Sequence, residues 1–206
     1  MRHAESAAPQ IFHGAESDIG LSPHGHQQAQ VVAQLYAELK PDAIISSNML
    51  RARTTAQPIA DACGLTLEIE PELHERRVGA LSGTPNADMN QGIWPDTLRH
   101  WLAGETSYAP PGSESFDDIQ SRVLPAWDRI THRHAEKSIV VVAHGIVCRV
   151  LLLSLLDGWS VADWLKIGRI PNVSISELLG HGTSWKAAKV GEIPSAVAAL
   201  PHPHWS

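Results

Sequence analysis

Residues 138–143 (SIVVVA) constrain this chain more than any other stretch. An unbroken run of branched apolar residues reads as a strand buried on both faces, of the kind found in the middle of a parallel sheet. It runs directly into His144-Gly145, and the residues from Val147 to Leu156 that follow are almost wholly apolar and helical in pattern. A strand, a turn carrying His-Gly and a buried helix describe the ligand-binding edge of an α/β sheet. Residues 42–47 (DAIISS) repeat the arrangement, a short strand leading into a helix that begins near Asn48 and runs to Gly64; Leu65 to Ile69 reads as another short strand.

The remaining elements follow from periodicity and end signals. Ser22 is a candidate N-cap with Pro23 at the first helical position, and Ala29, Val32, Ala33, Tyr36 and Leu39 form the apolar stripe of a helix ending near Pro41. Ser113 to His134 is amphipathic, with Phe116, Ile119, Val123, Leu124, Trp127 and Ile130 on one face and Pro125 expected to disturb it. Pro171 to Leu179 and Ser184 to Val190 read as a closing pair of strands. Leu73 to Gly83 reads as loop rather than core, and Thr84 to Ser115, rich in Pro, Gly, Asn and Trp with a weak helix near Thr97 to Ala103, reads as a cap over a site. The expected fold is therefore α/β, a three-layer sandwich with a mostly parallel central sheet, helices on both faces and a small cap insertion over about 84–115. One domain spans 1–192, and 193–206, rich in Pro and Ala, is expected to be disordered.

A formal net charge of -6 argues against a broad basic surface, so neither nucleic acid nor an anionic membrane is the expected partner. Any anion site must be a local cluster of Arg and His serving a small ligand. Cys63 and Cys148 lie in helical segments and suit buried thiols in a reducing compartment. No run has the length of a membrane span and the N-terminus lacks a secretory pattern, so the expected location is the cytoplasm. A homodimer is the one assembly the reading leaves open.

Four places carry residues suited to phosphate chemistry. Arg2 beside His3 sets a planar cation, able to grip two oxygens, next to an imidazole that can take up a phosphoryl group. On its own the pair reads more readily as ordinary polar residues at a frayed terminus. Arg51 lies in the first turn of a helix, where backbone N–H groups already favour anions, although it could be a solvated residue like Arg53. Glu75 could act on a proton or simply pair with Arg76 or Arg77. His144 could be a satisfied core histidine, but Gly145 beside it permits close approach of a ligand. His132 and His134, and His202 and His204, have a spacing that does not share a helix face, and no metal is assigned.

Taken together these motifs resemble the histidine phosphatase superfamily, which includes cofactor-dependent phosphoglycerate mutases. The likeness rests on Arg2-His3-Ala4-Glu5, on Leu21 to Ala29 (LSPHGHQQA), on Ser47 to Ala56 with Arg51, on Leu73-His74-Glu75 with Gly79 and Gly83, on Pro111 to Ser115, and on Val142-Ala143-His144-Gly145. It implies that His3 is the nucleophile, that Arg2, Arg51 and His144, with Gly145, hold phosphate, and that Glu75 moves the proton, with no cofactor. A protonated His144 would add to the charge of the two arginines. It also implies a strand just before Arg2, which this sequence lacks, so Arg2 and His3 are expected to be without rigid support. Ala4 stands where the family has Gly, and Pro9 or a neighbour where it often has Asn. The implied activity is hydrolysis of a small phosphomonoester, the alternatives being a phosphoglycerate mutase or a non-catalytic phosphate-binding protein.

Overall fold

The computed structural model describes residues 1–86 and 92–201. In chain order its helices are α1 (Pro23–Leu39), α2 (Leu50–Cys63), α3 (Ile93–Leu102), α4 (Phe116–Arg133), α5 (Gly145–Leu155) and α6 (Ser195–Ala198). Its strands are β1 (Ala43–Ser46), β2 (Leu67–Ile69), β3 (Ile139–Val142), β4 (Ile175–His181) and β5 (Ser184–Glu192).

β1 lies at the centre of a parallel sheet with β2 on one side and β3 on the other. Register places Ser46 level with both Ile69 and Val142, so the three strands end together at one edge. The alternation of side chains along a strand separates two cores. Ala43 and Ile45 pack with α4 and α5, whereas Ile44, Val140 and Val142 pack with α1 and α2. Helices therefore cover both faces, as the sequence predicts. Among the described residues no helix is long and apolar enough to cross a membrane.

The helix ends form for identifiable reasons. Ser22 Oγ accepts the Gly25 N–H at 2.9 Å with Pro23 in the first turn, and Ser115 and Asp118 form a reciprocal capping box ahead of α4. Pro125 does not disturb α4 as expected. It sits on the exposed face with Ser121, whose carbonyl can be solvated, so the lost helical bond leaves no buried acceptor unpaired.

Two further expectations are corrected. Met1 to His3 do have support: they run beside the end of β3, the terminal amine donating to Val141 O at 2.8 Å and the His3 N–H to Ala143 O at 2.9 Å. On their other side Val173 N donates to Arg2 O at 3.1 Å, and Asn172 Nδ2 donates to His3 O at 2.9 Å. Arg2 forms a single parallel bridge with Ala143 and is hydrogen-bonded on both flanks. Nor is the region after Ile193 structureless, because α6 buries Val197 against the α1–α2 core; its alanines permit a short helix, and one branched residue anchors it. Residues 202–206 lie outside the described residues.

β4 and β5 pair antiparallel in a separate sheet, the expected closing pair. The chain reaches it directly from Val173 and Ser174, the residues that hold Arg2.

Candidate active site

The level strand ends assemble the site. Arg51 stands in the first turn of α2 after β1, His144 caps the N-terminus of α5 after β3, and Glu75 follows β2 through the short turn Pro71–Leu73. Arg2 and His3 arrive alongside β3. The His3 and His144 rings lie 5.1 Å apart between centroids and are tilted by 57°. Glu75 Oε2 accepts the Ile146 N–H at the start of α5 at 3.4 Å, and its field reaches both Arg2 and Arg51. The predicted residues, 142 positions apart at the extremes, thus meet at one edge.

The hydrogen bonds of His3 define its chemistry. Nδ1 lies 2.6 Å from Ala4 O, an acceptor, so Nδ1 carries the hydrogen and Nε2 keeps its lone pair. Burial, then Arg2 and Arg51, drive its pKa well below the usual 6.5 and keep the ring neutral. His144 is fully buried and is likewise pushed down, by burial first and then by His3, Arg51 and Arg2. In the free protein burial and the neighbouring cations thus disfavour the protonated His144 that the resemblance implies. Ser47 Oγ accepts the Met49 N–H at 3.3 Å and lies 2.9 Å from His144 Nε2, while Nδ1 of that ring is buried without a hydrogen-bond partner.

Arg2 donates from Nη1 to Ile170 O at 2.7 Å, while its Nε is buried and unpartnered. Gly145 lies against it; a Cβ added there would stand 3.6 Å from Arg2 Nε. Arg51, buried, donates to Ser17 O at 2.7 Å and Gly14 O at 3.3 Å. It holds the loop after His3 in place as well as presenting charge.

Leu73 to Gly83 is not the surface loop that its composition suggests, since Leu73, Arg76, Val78 and Leu81 are all buried. Two partners draw it in. Glu16 Oε1 accepts the N–H groups of Val78 and Gly79 at 2.9 and 3.0 Å, and Arg122 from α4 donates to Glu72 O. The cap region packs on the same loop through α3, whose Trp101 is buried; residues 87–91 of the cap lie outside the described residues. His132 is exposed and His134 pairs with Glu68, so neither approaches the site. His202 and His204 fall outside the described residues. Ser47, Glu16 and Asn172 escape sequence reasoning, because each acts through a partner far away in the chain.

A profile of the histidine phosphatase superfamily (branch 1) matches residues 1–193. The chain belongs to that superfamily. It is 31% identical to a metal-independent phosphoserine phosphatase of Arabidopsis thaliana, over 90% of this chain and 76% of that one. It is 36% identical to phosphoglycerate mutase-like protein 4 of the same plant, over 94% and 84% of the two chains. A mycobacterial glucosyl-3-phosphoglycerate phosphatase solved with inorganic phosphate superposes with a TM-score of 0.78 at 27% identity, covering 93% of this chain and 94% of that one. The chain is a phosphatase of the histidine type.

Proposed function

We propose that this histidine phosphatase hydrolyses small alkyl phosphomonoesters through a phosphohistidine formed on His3 Nε2. The observation that carries the reading is a neutral, buried imidazole whose Nδ1 hydrogen is committed to Ala4 O, within the field of Arg2 and Arg51. The Nε2 lone pair forms the N–P bond as the ester P–O bond breaks, and the leaving oxygen takes a proton from Glu75. Glu75 then takes a proton from water while the resulting hydroxide attacks phosphorus and breaks the N–P bond. Phosphate leaves and both side chains return to their starting forms. Charge accumulating on the equatorial oxygens is met by the guanidinium groups of Arg2 and Arg51.

His144 acts in this reading as a neutral donor. The Ser47 hydroxyl accepts one hydrogen bond, from the Met49 N–H, and His144 Nε2 is the acceptor within reach of its own hydrogen; donating there puts the ring hydrogen on Nδ1, buried without a partner among the described residues, for a phosphate oxygen. The two arginines supply the charge, so no metal enters the scheme, in keeping with the name of the plant phosphoserine phosphatase.

Phosphoserine labelled at phosphorus, mixed with enzyme and quenched in alkali, should leave a protein-bound label that acid removes and that His3→Ala lacks. A label stable to acid, or one retained by His3→Ala, would remove His3 as the nucleophile. The likeness to the mutase-like protein is tested by supplying phosphoglycerate and measuring free phosphate against transfer between positions, with free phosphate expected to dominate.

A further inference from the structure

Arg76 follows Glu75 directly, yet its side chain is fully buried. Its Nε donates to Glu114 O at 2.8 Å, just ahead of α4. The guanidinium lies over the rings of Trp101 and Trp94 from α3, 4.9 and 5.2 Å from their centroids, and among the described residues neither Nη atom has a hydrogen-bond partner. Burial pushes its pKa down to about 10 against the opposing fields of Glu75, Glu114 and Glu16, and leaving N–H groups of such a cation unpaired is destabilising, so Arg76 is a costly way to fill space. The backbone of the same residue suggests what the cost sustains. Its N–H donates to Glu75 Oε1 at 2.9 Å, and its carbonyl accepts the Ala15 N–H at 3.0 Å from the loop whose Gly14 and Ser17 carbonyls hold Arg51.

We infer that Arg76 is a positioning residue: anchored in the Trp94–Trp101 faces of the cap and on Glu114 O, it fixes the backbone N–H that orients the Glu75 carboxyl towards the leaving-group oxygen. The inference rests on the proposed proton transfer by Glu75. Arg76 touches no reacting atom in this scheme and acts through Glu75, so its loss should hurt only those reactions that need a proton delivered. Alkyl leaving groups need one. An aryl leaving group such as 4-nitrophenolate does not.

The test compares Arg76→Met with the parent enzyme on phosphoserine and on 4-nitrophenyl phosphate, in the natural background and in Glu75→Gln. Met keeps much of the apolar bulk but takes one cation away from nearby carboxylates, which is destabilising, so the fold of each variant is checked first by its thermal midpoint. Misplacing a general acid forfeits part of its usual 10²–10⁴-fold effect, so kcat on phosphoserine should fall about 10- to 100-fold with KM within about threefold. On the aryl ester the fall should be no more than about threefold, and in the Glu75→Gln background Arg76→Met should add less than about twofold, since residues acting as a unit are not additive. Should Arg76→Met fail to fold, Arg76→Lys keeps a cation over the rings but loses the Nε bond, and the same substrate-selective loss is expected, smaller in size. Equal losses on both esters, or an undiminished loss in Glu75→Gln, would overturn the positioning role. If Glu75→Gln lowers alkyl turnover while both Arg76 variants leave it intact, this inference alone falls. If Glu75→Gln leaves alkyl turnover unchanged, the proton-transfer reading falls with it.

Discussion

A nucleophilic histidine needs a lone pair, a fixed aim and a reason to stay neutral, and in the proposed role His3 obtains each from its surroundings. Ala4 O commits Nδ1, the Ala143 backbone and the Asn172 side-chain amide set the aim, and burial, then Arg2 and Arg51, disfavour the protonated ring. The position of Arg51 and His144 at strand ends is legible in the sequence, because an apolar run followed by a charged or imidazole residue marks the sheet edge. Glu75 is less so: three charged residues stand in a row, and only the fold shows Arg76 turning inward while Glu75 faces the start of α5. Replacing Glu75 by Gln should lower alkyl phosphate turnover by about 10²–10⁴-fold and aryl turnover much less. Steady-state rates on the two esters check it. Ser47 is the residue that no local pattern reveals, since its partner His144 lies 97 positions away. One neutral hydrogen bond contributes about 1 kcal/mol, so Ser47→Ala should weaken inhibition by inorganic phosphate roughly fivefold. Unchanged inhibition would detach Ser47 from the orientation of His144.

Elements were readable where their signal is local. The cap at Ser22 and the apolar run of β1 follow from short-range chemistry, and α1, α4 and β3 lie close to their expected bounds. What could not be read is the help one element lends another. Three residues at the N-terminus make no strand signal, yet Val173 and Asn172, some 170 positions on, complete their bonding. α6 is too short for a periodicity, and its place is set by one side chain fitting the α1–α2 core. Val197, 6% exposed, should therefore matter despite its setting in a Pro- and Ala-rich stretch. Full burial of such a side chain is worth about 1.5–3 kcal/mol, so Val197→Asp, which also buries a charge, should cost at least that much and lower the thermal midpoint by several degrees. A melting curve matching the parent's would mean that α6 is not seated on the core in solution. Gly25 serves the first turn of α1: a Cβ there would stand 2.1 Å from Glu5 O, so the motif residue lets the His3 loop pack on the helix.

At the scale of the whole molecule, the site is a concentration of positive potential in a chain whose net charge is -6. Two buried rings, His3 and His144, pay for it in pH sensitivity. Both have folded-state pKa values well below 6.5, by burial first and then by neighbouring cations. The unfolded chain therefore binds protons that the folded one refuses as pH drops below about 6.5. Their contribution to stability is complete above that value and is lost as pH falls towards their folded pKa values. The limiting slope is about 1.4 kcal/mol per pH unit for each ring. Carboxyls that the fold holds below their usual range, such as Glu114 beside Arg122, lose their contribution in a lower window, below about 4.5. The two windows can be separated by chemical denaturation at a series of pH values. Between about pH 6.5 and 5 the parent should lose stability steadily, His3→Gln and His144→Gln should each show a shallower slope, and the double variant the shallowest. Below about 4.5 all four proteins should fall together. A parent curve flat from pH 6.5 to 5 would show that the rings are protonated in the fold, and the neutral nucleophile would lose its physical basis.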